Sequence, residues 1–181
     1  MSIFDHNTRQ FILATSITLA ILSSKAEADA NSPGRPLAER EIGAWDISIP
    51  PTGAGLPEGS GSVAEGAEVY ATQCAFCHGE TGTEGPADRL VGGIGTLASD
   101  TPVKTLGSYW PYATTAFDYI RRAMPFYAPG SLSDAEVYAV TAYLLHLNGV
   151  LPDDARLDAR GLSELILPNA DGFIAAYPSD N

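Results

Sequence analysis

The chain has 181 residues, 45% of them hydrophobic, and a formal net charge of −12. That length suffices for one domain with a modest core. So acidic a chain is repelled by a phosphate backbone or an anionic lipid surface, which argues against nucleic acid and an anionic membrane as partners; the charge either suits proteins with basic patches or serves solubility alone.

Residues 1–30 read as a secretory signal. Arg9 precedes an apolar run at residues 11–22, and Ala26-Glu27-Ala28 and Ala28-Asp29-Ala30 both have the small-x-small pattern of a cleavage site. Cleavage is therefore expected near Ala28 or Ala30, with a periplasmic mature protein. The run is short for a bilayer span. Asp5 offsets Arg9, so an uncleaved anchor is the competing reading; no other stretch could span a membrane. Loss of residues 1–30 leaves 8 basic and 19 acidic residues, a net charge of −11.

Residues 31–61 hold Pro33, Pro36, Pro50, Pro51 and Pro57 and five glycines from Gly43 to Gly61. Such a composition reads as an extended N-terminal arm. Within it Trp45, Ile47 and Ile49 alternate with polar residues, a pattern that can lie on a surface.

A first helix is predicted from Val63, with Ser62 as N-cap and Glu65 completing a capping box. Val63, Gly66, Ala67, Tyr70 and Cys74 share one face, so the two cysteines lie at its C-terminal end. Residues 79–110 are punctuated by glycine and proline and read as a loop, too long for a compact domain unless another group fills the core. A second helix is predicted over residues 112–122, with Ala113, Ala116, Phe117 and Ile120 inward and Pro125 ending it. The third repeats the capping signal, Ser133 with Glu136. It carries a stripe of Val137, Val140, Thr141, Leu144 and Leu147 and stops at Gly149. The domain is thus residues 62–148, followed by a tail over 149–181 that is polar and Pro-containing from Leu151 except for a short apolar stretch at Leu165-Ile166-Leu167, and no strand of consequence is predicted.

Cys74-Ala75-Phe76-Cys77-His78 is the Cys-x-x-Cys-His signature of covalent haem c attachment, and Cys74 and Cys77 are the only cysteines. Two thiols at this spacing add to the two porphyrin vinyls, and the next residue, His78, becomes the proximal iron ligand. Three other readings compete. Zinc needs four ligands, and only His78 and His146 could join the thiols. A thioredoxin-like pair wants a βαβ pattern, which is missing. A periplasmic disulfide leaves the glycine-rich middle unfilled. For the sixth ligand Met124 is the only methionine left after signal removal, beside Pro125. The alternatives are Met124 as core filler, with His146 as ligand. Phe76, Leu90, Leu97, Trp110, Tyr112, Phe117 and Ile120 are expected to shield the ring, and Arg89, Arg121, Arg122, Trp110 and Tyr112 to meet its propionates. No catalytic group stands out.

This order of elements resembles the class I cytochromes c over residues 62–148. The resemblance implies a mainly α fold with three core helices around one covalent haem, with extended N- and C-terminal arms. It also implies a first and last helix crossing near Gly66, Tyr70 and Tyr143, and the Pro86 carbonyl as acceptor for His78. Further stretches resemble the cytochrome subunit of periplasmic sulfur (sulfane) and sulfite dehydrogenases: Ala44-Trp45-Asp46-Ile47, Gly107-Ser108-Tyr109-Trp110-Pro111-Tyr112-Ala113, residues 119–126 through Met124-Pro125-Phe126, and residues 131–145. That resemblance implies an electron-transfer subunit, not itself an enzyme, with His78 and Met124 on the iron. Its partners would be a molybdenum-cofactor sulfur-compound dehydrogenase and a downstream acceptor cytochrome. The sulfane subunit carries a second haem domain whereas one motif stands here, which keeps the sulfite enzyme open. A freely diffusing shuttle to a terminal oxidase, or a haem sensor or enzyme with an open iron site, are the alternatives.

Overall fold

The computed structural model describes residues 34–174, 176 and 177; the expected signal, residues 1–30, lies outside them. The described residues divide into two compact units, one over residues 34–46 and one from residue 47 onward. In the first, the short helix α1 (Glu39–Ile42) interrupts what the composition predicts as extended chain. Its first turn is held by Glu41, which accepts from the Ala38 N–H at 2.9 Å and pairs with Arg35 at 2.6 Å.

The second unit is mainly helical with one two-stranded sheet. Its elements run β1 (Ser60–Ser62), α2 (Val63–Gln73), α3 (Ala75–His78), α4 (Ala113–Ala123), α5 (Asp134–Leu147), β2 (Arg156–Asp158) and α6 (Ala159–Glu164). Both predicted capping boxes form. Ser62 Oγ accepts from Glu65 N–H while Glu65 takes the Ser62 N–H at 2.7 Å, and Ser133 and Glu136 do the same at 2.8 Å. Helix α5 ends as Gly149 predicts: at φ 72° its N–H reaches the His146 carbonyl and the Val150 N–H the Leu145 carbonyl, a Schellman motif.

Helices α2 and α5 pack at Gly66. A Cβ there would run into the Ala139 carbonyl and the Tyr143 side chain, so only glycine allows this approach. One turn on, the Tyr70 and Tyr143 rings lie 5.4 Å apart. Helix α5 is buried more widely than one stripe: Tyr138, Ala139, Ala142 and Leu145 are buried along with Val137, Val140, Thr141 and Leu144. The added faces meet β1 and α4, where Phe117 and Tyr138 stack at 4.5 Å.

The polar tail and the absence of strands are corrected here. Strand β2 pairs antiparallel with β1, Gly61 opposite Leu157. Leu157, Leu162 and Leu167 are all buried in the main core. Leu167 falls in the apolar stretch that stands out in the sequence, whereas Leu157 and Leu162 are isolated among polar residues and give no helical period, so the docking of this segment does not show in the pattern.

Residues 79–112 form no helix and only a single bridge, Tyr112 to Ile166, yet side chains bond several of their backbone groups. Asn148, buried just past α5, donates to the Leu90 carbonyl at 3.0 Å and accepts from Gly92 N–H at 3.1 Å. Thr105 donates to the Gly92 carbonyl and Ser108 to the Val103 carbonyl, at 2.5 and 2.6 Å. Short polar side chains thus replace a backbone ladder. Among the described residues no helix is long and apolar enough to cross a membrane.

Candidate functional site

The long loop, α4 and α5 enclose a cavity of about 520 Å³. Cys74, Cys77 and His78, from one pentapeptide, and Met124, 46 positions further on, all line it. Each arrives by a local cause. Helix α2 ends at Cys74, and the single turn α3 carries Cys77 and His78 round the cavity's edge. Helix α4 ends at Met124, whose extended backbone before Pro125 turns the chain out of the helix.

The loop seals the far side of this turn. Ala87 N–H reaches the Cys77 carbonyl at 2.9 Å, and a Cβ on Gly85 would strike the Cys77 backbone. His78 Nδ1 sits 2.8 Å from the Asp88 carbonyl, not that of Pro86. The acceptor therefore lies two positions beyond the proline that the resemblance implied, because the turn through 79–88 is longer. A carbonyl only accepts, so Nδ1 carries the proton and Nε2 keeps its lone pair for a metal.

The walls are apolar: Leu90, Leu106, Trp110, Ala116, Ile120, Leu132, Val140 and Leu144. Of the expected shield, Leu90, Trp110 and Ile120 are in place. Phe76 is 91% exposed, Tyr112 is exposed, and Leu97 is half-buried away from the lining. Phe117 is fully buried against Tyr138 instead. A helical face names which residues turn inward, not which of two interior spaces they meet.

The cations also divide differently. Arg89 lines the cavity, joined by Lys104, which nothing in the sequence singled out. Lys104 Nζ lies 5.1 Å from the Tyr109 ring centre, which holds its stem across the loop. Arg121 is paired with Asp134 at 2.8 Å and Arg122 with Asp118, so both are committed elsewhere.

This donor set fits haem c. The volume lies in the range of cofactor sites, the walls are dry, and two thiols, a free imidazole nitrogen and a thioether meet at one cavity. The rivals lose ground. His146 is outside the lining, with Nδ1 donating to the Leu151 carbonyl at 3.1 Å. No group of three or more His, Cys, Asp or Glu side chains that could hold a metal occurs among the described residues. Burial, then the neighbouring Cys77, pushes the Cys74 thiol up to about 11, the reverse of a reactive redox thiolate.

Comparison with known proteins agrees. Residues 61–144 match the family model described as "Cytochrome C oxidase, cbb3-type, subunit III". Two proteins named thiosulfate dehydrogenase are similar. That of Stutzerimonas stutzeri is 34% identical over 89 residues, 49% of this chain, and that of Psychrobacter arcticus 31% over 123 residues, 55% of it. The chain spans only 28% and 37% of those relatives' lengths. The crystal structure of the sulfane dehydrogenase SoxCD from Paracoccus pantotrophus contains a chain that superposes with a TM-score of 0.73 at 45% identity, over 81% of this chain and 71% of that one. The chain therefore belongs to the c-type cytochromes, whose cofactor is haem c, and resembles the cytochrome subunit of the sulfur dehydrogenases.

Proposed function

We propose that this chain is a periplasmic mono-haem cytochrome that takes electrons one at a time from a molybdenum-cofactor dehydrogenase of sulfane sulfur or sulfite. It would pass them to a downstream cytochrome. The convergence of Cys74, Cys77, His78 and Met124 on one apolar cavity carries this reading. In it Cys74 and Cys77 would hold haem c covalently through their sulfurs, and His78 and Met124 would be its iron ligands. Bound haem c provides a one-electron iron couple.

The chain's own residues set the terms of that couple. Asp88 fixes the His78 tautomer through its carbonyl. Leu90, Leu106, Ile120, Val140 and Leu144 exclude water and so favour the less charged oxidation state. Arg89 and Lys104 offer positive charge to propionates. Ligation by both His78 and Met124 would suit electron transfer rather than oxygen chemistry and would raise the potential above that of a bis-histidine centre.

The test is an optical spectrum of the holoprotein. The oxidised wild type should show the weak long-wavelength charge-transfer band of a methionine–iron bond, and Met124→Ala should abolish it. Rapid carbon monoxide binding to the reduced wild type would instead reveal an open site and displace the electron-carrier reading. The partner is tested separately. Co-purification with a molybdoenzyme and reduction by sulfite or sulfane sulfur support the subunit role, whereas a monomer without a stable partner supports the free shuttle. The similarity to thiosulfate dehydrogenases favours thiosulfate as the next donor to try.

A further inference from the structure

Residues 47–51 lie along α4 and bond to it three times. The Ile47 carbonyl accepts from Arg121 Nη1 at 3.4 Å, the Ile49 N–H donates to Asp118 Oδ1 at 2.8 Å, and the Pro51 carbonyl accepts from Thr114 Oγ1 at 3.0 Å. Alternate positions of the segment, 47, 49 and 51, thus meet helix positions 121, 118 and 114. Two residues of extended chain rise about 6.6 Å and one helical turn about 5.4 Å, close enough for the two periods to keep step over three bonds, and the descending order of the helix partners shows that the segment runs antiparallel to α4.

The middle bond is buried. Ile49 is 3% exposed and belongs to the main core, and Asp118 is 7% exposed. Asp118 also accepts from Arg122 Nε at 2.9 Å and Nη2 at 2.5 Å. Arg121 is pinned at its other side by Asp134 Oδ1 at 2.8 Å, where α5 begins. Arg121 and Arg122 form the last turn of the helix that delivers Met124, whose N–H is itself bonded to the Ile120 carbonyl at 3.0 Å.

We infer that residues 47–51 are a strap that fixes the axial register of α4 and thereby positions the Met124 thioether in the cavity. Asp118 is its positioning residue. The inference rests on Met124 being an iron ligand, as proposed above. A helix of 11 residues packed on apolar neighbours alone can slide or rotate slightly at modest cost, because dispersion contacts are not directional; three spaced hydrogen bonds to one segment forbid it. After Met124, Pro125 is buried and the Tyr127 hydroxyl donates to Gln73 Oε1 at 2.6 Å, which ties the loop to α2 but does not touch α4.

The experiment uses the full-length holoprotein and follows the methionine–iron band and far-UV helicity together through a thermal ramp, with the redox potential read at room temperature. The variants are Asp118→Asn, the near-isosteric Thr114→Val, and their combination. Leu157→Ala, which opens a gap in β2 away from the strap, is the control for general destabilisation. In the strap variants the band should fade at temperatures where helicity persists, and the potential should drop relative to wild type. In the control the band and helicity should go together. Thr114→Val preserves the core volume, so it stays informative if Asp118→Asn fails to accumulate. A wild type that shows the band, with band loss tracking unfolding in every variant, overturns the strap alone. A wild type without the band overturns Met124 ligation and the strap with it.

Discussion

Asn148 has three hydrogen-bond partners at the hinge between α5 and the long loop: the Leu144 and Leu90 carbonyls and the Gly92 N–H. Replacing it with alanine strands buried backbone groups, so Asn148→Ala should lower unfolding stability by about 2–3 kcal/mol. A urea titration of the holoprotein measures this. Gly66→Ala tests the helix crossing. Gly66 is not in a left-handed conformation, so any loss comes from overlap with the Ala139 carbonyl, and overpacking of this kind costs about 1–3 kcal/mol. The same urea midpoint reads it. Gly66 and the haem-type motif stand out in the sequence because their roles depend on identity and short spacing. Asn148 and Asp118 do not, since these partners lie tens of positions away: 58 for Asn148 to Leu90 and 69 for Asp118 to Ile49. Asp118 sits on the buried side of α4 and breaks the apolar pattern. Burial pushes its pKa up, but Arg122 and the Ile49 N–H outweigh that and hold it below the usual value, so it is a charged group in the core's margin.

At the level of elements, the caps were the most reliable signals, because a capping box is complete within four residues. Ser133→Ala should cost about 1 kcal/mol by freeing the first-turn N–H groups of α5, seen as a lower thermal midpoint. Hydrogen bonds from the Ser62 N–H and hydroxyl, then from Arg156, hold the Glu65 carboxyl at about 2, well under its ordinary 4.5. A carboxylate with a depressed folded pKa contributes stability that is complete above pH 4.5 and is lost as pH falls towards 2. Glu84, held at about 2 by Thr81 and then Thr83, acts in the same window. Glu65→Gln should therefore flatten the fall in stability between pH 4.5 and 2 relative to wild type, measured by denaturation at fixed intervals of pH. Helix positions followed the apolar period closely. The extent of burial on α5 did not, because the faces covered by β1 and by α4 depend on neighbours that periodicity cannot name.

Taken as a whole, the second unit is closed by its own two ends. The β1–β2 pair joins residues almost a hundred positions apart, and Arg156 reaches Ser60 and Glu65, at 3.1 Å each. Leu157, Leu162 and Leu167 then fill the core from the tail. Each buried leucine contributes about 1.5–3 kcal/mol of transfer free energy before chain entropy is set against it. Deleting residues 151–181 should therefore lower the urea midpoint of the holoprotein well below that of any single variant above, and protease should cleave the shortened chain faster. The sequence by itself determined the cofactor chemistry, the candidate ligands Cys74, Cys77, His78 and Met124, and the places of the three longer helices. Those properties are set by residue identity and by spacings within one or two turns. Only the tertiary structure decided that Asp88 rather than Pro86 meets His78, that Lys104 rather than Arg121 or Arg122 faces the cavity, that the tail is core, and that residues 47–51 brace the Met124 helix. Each of these is a choice among partners distant in the chain, and it is made by how the packed elements bring them together.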